Sequence, residues 1–75
     1  MATPTDTSRG IARSVSAALS AAGIAQRDAA ARTGIPITTL SRRLTGNSPF
    51  NTTELALIAD LLGVHVSDFL TEAAA

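Results

Sequence analysis

The sequence predicts an all-α domain of five short helices. Three observations lead there: apolar residues recur three and four positions apart, glycines stand where those periodic segments stop, and nothing reads as a strand. The 75 residues make one small domain at most. Only two aromatics are present, Phe50 and Phe69, so the core must be built from Leu, Ile, Val and Ala. Such side chains suit short helices in close contact.

Residues 1–7 hold a proline and small polar groups with nothing to bury, and are expected to form a flexible tail ahead of a domain over 8–72. Thr7 or Ser8 can cap a first helix in which Ile11, Val15, Leu19 and Ala22 form one apolar stripe, closed by Gly23. A short alanine-rich helix follows in "AQRDAAARTG" and closes at Gly34, with Asp28 and Arg32 four apart. The third helix is expected from about Ile37 to Leu44, stopping at Gly46. The fourth has the clearest start. In "PFNTTEL", Asn51 can cap the Glu54 amide while the Glu54 side chain reaches back to Asn51, and Phe50 and Leu55 have the spacing of a hydrophobic staple. Leu55, Ile58, Ala59 and Leu62 are its buried stripe, and Gly63 ends it. A fifth helix, roughly Val66 to Glu72, would bury Phe69 and Leu70 with His65 at its N-cap, and residues 73–75 would fray.

Several function classes lose support on composition. Cysteine is absent, and the lone His65 has no metal-binding cluster around it, so no metal or cofactor is expected. Ser, His and Asp all occur, but no nucleophile motif links them, which argues against an enzyme. No apolar run approaches the ~20 residues that span a bilayer, and the polar N-terminus is no signal peptide, so the expectation is cytoplasmic. No small-molecule ligand is evident.

Net charge is zero, but its distribution is polarised. Six arginines against Asp6 and Asp28 make the stretch through Gly46 net +4; Glu54, Asp60, Asp68 and Glu72, with no base among them, make the remainder net −4. A chain of this kind can present one basic face while staying neutral overall.

Two consecutive short helices joined by a glycine-containing turn form a helix-turn-helix unit. "QRDAAARTGIPITTLSRRLTG" has that layout, with Ala30 small where the helices touch, Gly34 at the turn, and Ile35 and Leu40 facing inward. Here the sequence resembles the lambda-repressor-like, Cro/C1-type DNA-binding family. "PFNTTELALIADLLGVHVSDFL" is similar to that family's fourth and fifth helices, so the resemblance covers about Ile11 to Leu70. It departs at Ala25 and Pro36, where the family usually has hydroxyl residues, and at Arg43, where many members are apolar.

The resemblance implies a five-helix lambda-repressor-like fold and a sequence-specific regulator of transcription, most simply a phage or bacterial repressor that binds double-stranded DNA as a homodimer. Carried over residue by residue, its base-reading positions fall on Ile37, Thr38, Ser41 and Arg42. Its phosphate contacts fall on Gln26, Thr39, Arg43, Asn47 and Ser48. The major groove, ~12 Å wide, admits one α-helix, and a guanidinium such as that of Arg42 can span O6 and N7 of a guanine. Arg43 has two further readings: its stem can lie along the core, or the third helix is rotated from the family's pose. Self-association is expected in the acidic half, around Phe50, Leu55, Phe69 or Leu70. A protein-interaction module of antitoxin or adaptor type, with no DNA contact, is the alternative from another class.

Overall fold

The computed structural model of the protein describes residues 4–74, with side chains for residues 7–70. Five helices run through them: α1 (Pro4–Ala21), α2 (Gln26–Thr33), α3 (Ile37–Leu44), α4 (Thr52–Leu62) and α5 (Ser67–Ala74); no strand occurs among the described residues. This is the all-α architecture that the helical periodicity predicts.

The ends of the chain differ from expectation. α1 begins at Pro4, so residues 4–7 of the expected tail are helical, and Thr7 and Ser8 are interior positions rather than caps. Proline suits a first helical turn because its missing N–H would have no partner there. Residues 1–3 of the expected tail lie outside the described residues. At the other end α5 starts at Ser67 and carries the backbone through Ala74, so of the expected frayed end only Ala75 lies outside.

The buried stripe of α1 is Ala12, Val15 and Leu19, flanked by the partly buried Ile11 and Ala18. Ala22, expected to close the stripe, is exposed because the helix has already ended. The Ile24 N–H donates to Leu19 O at 2.9 Å and the Gly23 N–H to Ser20 O at 3.0 Å, which closes α1 and leaves Ile24 packed against the core. α1 packs along α5 and covers Phe69, and α2 packs against both α3 and α4. Val15, Leu40, Ile58 and Phe69 are the largest fully buried side chains, each worth about 1.5–3 kcal/mol of transfer free energy. Ala29 and Ala30 are buried on α2, where a larger side chain would hold its neighbours apart.

The α2–α3 turn is braced from both sides. Gly34 adopts φ 80°, and its N–H donates to Ala30 O at 2.9 Å. Only a residue without Cβ takes that left-handed conformation at no steric cost. The Thr33 hydroxyl donates to Ala29 O at 2.7 Å and accepts the Ile35 N–H at 3.3 Å, steering Ile35 into the core. Pro36 is the N-cap residue of α3 rather than a first-turn residue.

The expected cap of α4 is present. The Glu54 N–H donates to Asn51 Oδ1 at 2.7 Å, and the Asn51 N–H donates to Glu54 Oε1 at 3.0 Å. Leu55 is buried and Phe50 packs partly buried against the same core. That burial takes Leu55 and Phe69 out of the expected self-association surface. Leu70, expected to be buried with Phe69, is instead exposed, and with Leu57 and Val64 it makes up the large exposed apolar residues of the acidic half among the described residues. His65 lies one residue ahead of the α5 N-cap position, and its backbone N–H donates to Asp68 Oδ2 at 3.3 Å.

Candidate nucleic-acid interface

α3 sorts its side chains by arc. At about 100° per residue, Ile37, Ser41, Thr45, Thr38 and Arg42 fall within an arc of about 140°, and Thr39, Arg43, Leu40 and Leu44 fall opposite. The structure follows this division. Ile37 (44% exposed), Thr38, Arg42 and Thr45 are exposed and Ser41 is half-buried, while Leu40 is fully buried and Leu44 packs partly buried on the core. The four residues expected to read bases therefore share one face. The leucines set the rotation of the helix, and Arg43 lies on the inward arc without shifting it.

Arg43 is occupied inside the molecule. Its Nε donates to Glu54 Oε1 at 2.9 Å, Nη2 to Glu54 Oε2 at 3.4 Å and Nη1 to Ser48 Oγ at 2.6 Å. The two side chains of the ion pair are 23% and 12% exposed. Burial pushes the Glu54 carboxyl up, but the hydrogen bonds from Arg43 and the Asn51 N–H, with the charge of Arg43, outweigh it and hold the group below its usual value. One oxygen, Oε1, thus serves both the α4 cap and the guanidinium. The result is a clasp between the last turn of α3 and the first turn of α4, closing the loop over residues 45–51.

This geometry gives two of the residues expected at phosphate, Arg43 and Ser48, partners inside the protein. Arg43 and Ser48 are bound to each other and, through Arg43, to Glu54, because the inward arc turns the guanidinium toward α4 rather than away from the protein. Nothing in the spacing of the sequence pairs Arg43 with Glu54. The available signal was an arginine at a position facing the body, which needs a carboxylate to offset its desolvation.

The remaining candidates lie around the α3 face. Gln26 is exposed at the first position of α2, where Ala25 supplies no side-chain cap to the helix amides. Thr39 is half-buried at the edge of the inward arc. Asn47 is exposed, and its backbone N–H donates to Arg42 O at 3.2 Å, closing α3 together with the Gly46 N–H on Arg43 O at 3.1 Å. Gly46 adopts φ 81° to do so.

Arg9, Arg13, Arg27, Arg32 and Arg42 are all exposed. Arg32 meets Asp28 at 3.4 Å with both side chains about half exposed, a pair worth only a few tenths of a kcal/mol. Among the described residues no cluster of His or carboxylates could hold a metal ion, and no helix is long and apolar enough to cross a membrane.

A family model described as helix-turn-helix matches residues 16–69, from within α1 to Phe69. No curated protein and no solved structure matches the chain.

Proposed function

The chain belongs to the helix-turn-helix family of Cro/C1 type, a family of DNA-binding regulators, and from that membership we propose that it is a sequence-specific repressor reading the major groove of double-stranded DNA with α3. The observation that carries this reading is the exposed arc of α3. It brings Ile37, Thr38, Ser41 and Arg42 onto one face while Leu40 and Leu44 anchor the other.

Each residue then has a chemical role. Arg42 donates two hydrogen bonds to the O6/N7 edge of guanine, worth ~1–3 kcal/mol of discrimination. Thr38 and Ser41 hydrogen-bond to base edges or to phosphate. Ile37, which has no side-chain donor or acceptor, packs on a thymine methyl. Gln26 and the adjoining free amides of α2 take a backbone phosphate, as does Asn47 on the far side of α3.

One helix of eight residues buries little DNA surface, so the protein acts as a homodimer on half-sites one turn, ~34 Å, apart. Leu57, Val64 and Leu70 are the apolar residues available for that contact.

Selection from a random DNA pool tests the proposal, since the recovered duplex reports sequence, symmetry and half-site spacing together. The expected result is a short two-fold motif bound with a steep fall of log affinity against log salt. Failure to retain any duplex at low salt would overturn it and leave the protein-interaction alternative.

A further inference from the structure

We propose that the groove between α1 and the C-terminal end of α3 is a second seat for the DNA backbone, one in which α1 grips phosphate beside the reading helix. The inference rests on the DNA-binding reading above and adds to it a surface outside the helix-turn-helix unit.

The groove is walled on one side by Arg9, Arg13, Ser16 and Ser20 of α1 and on the other by Leu44 and Thr45. The α1 residues stand at intervals of four, three and four, which places them in one line along the helix. Their chemistry is two guanidinium groups and two hydroxyls, with a third hydroxyl from Thr45. No carboxylate lines the groove among the described residues. Arginine with serine and threonine is the donor set that proteins direct at phosphate oxygens. A backbone phosphate offers acceptors and negative charge to match.

Two further observations place the groove at the right side of the molecule. Thr45 belongs both to the groove and to the exposed arc of α3, so the groove opens onto the face that carries Ile37, Ser41 and Arg42. Gly46 holds Arg9 there: a Cβ on this glycine would stand 3.1 Å from Arg9 Cγ, so its absence lets the arginine stem lie against the chain leaving α3. With α3 in the major groove, the strand that flanks its C-terminal end passes beside these arginines. Contacts of this kind are indifferent to sequence. They raise affinity for every duplex alike and hold the reading helix in register.

The test compares the unaltered protein with Arg9→Gln/Arg13→Gln, in which glutamine keeps part of each stem but removes the charge. Binding to the selected duplex and to a random duplex is followed by fluorescence anisotropy across a salt series. The proposal expects both affinities to fall by the same factor, on the order of tenfold, and the slope of log affinity against log salt to become shallower by about one or more. An unchanged slope, or a loss confined to the selected duplex, would overturn it while leaving the α3 reading intact. Absence of salt-dependent binding by the unaltered protein to any duplex would overturn both. Should the double variant unfold by circular dichroism, Ala17→Glu decides instead. Ala17 is an exposed lining residue, and a carboxylate there must weaken both duplexes while the helix signal persists; unchanged affinity would overturn the proposal.

Discussion

Replacing Glu54 by glutamine isolates the clasp that joins α3 to α4. Glutamine retains one oxygen, which can accept the Asn51 N–H or the Arg43 Nε but replaces the second acceptor with an NH2 facing a guanidinium. The change therefore removes the charge, the 3.4 Å contact from Nη2 and part of the shared acceptor at Oε1. Breaking a fully buried pair by removing one partner costs ~3–5 kcal/mol. Here the side chains are 23% and 12% exposed, and water recovers part of the loss for Arg43. A cost of about 2–3 kcal/mol follows, large against the roughly 4–11 kcal/mol available to a domain of this size. The assay is urea unfolding by far-UV circular dichroism, since the chain has neither Trp nor Tyr to report by fluorescence.

Acid supplies a second reading of the same contact. The folded carboxyl of Glu54 lies below its usual 4.5, so its contribution is fully present above that value and is lost as pH falls through the lower folded value. The gap between wild type and Glu54→Gln is expected to be widest near neutrality and to narrow in acid below 4.5. Equal midpoints for the two proteins at neutral pH would refute the reasoning, and so would a gap that widens in acid.

Three other expectations are accessible by the same or simpler means. Gly46→Ala should cost more than Gly34→Ala in urea unfolding: both adopt positive φ, costing ~1–2 kcal/mol, but only at Gly46 does the added Cβ also crowd Arg9, at 3.1 Å. Asn51→Ala removes the side-chain cap of α4 and should cost ~1 kcal/mol by the same assay. Arg42→Ala should leave the unfolding free energy within about 0.5 kcal/mol of wild type, because the side chain is exposed, yet relax the preference at one base pair of each half-site in a selection experiment. Equal loss on all sequences would instead mark Arg42 as a phosphate contact.

Much of the fold was legible because its signals are local. Gly23, Gly34, Gly46 and Gly63 all carry positive φ at helix ends, where sequence reading had put the stops. The Asn51–Glu54 cap needs only residues three apart, and Leu40 marks the inward side of α3, whereas its outward residues are those the family resemblance implies. Misjudgements came where a second segment decides. Leu70 reads as buried together with Phe69, but α5 lies against α1 with Phe69 interior and Leu70 exposed, and the spacing within α5 does not choose between them. The start of α1 is not legible in the same way, because small polar residues after a proline fit a tail or a first turn equally well.

The arginine pair at the end of α3 shows the division most clearly. The existence of α3, its stop at Gly46 and the inward direction of Leu40 are legible in the residues alone, since backbone conformation and apolar spacing act within a few positions. The outward place of Arg42 is what the family resemblance implies, and Leu44 packed on the core gives the helix the rotation it needs. Only the tertiary structure decided the role of Arg43. Its partners, Ser48 and Glu54, lie five and eleven residues away across an irregular loop. Whether a guanidinium meets a carboxylate there depends on how α4 is laid against the bundle, and that is set by packing of the whole core, not by the order of residues in either helix.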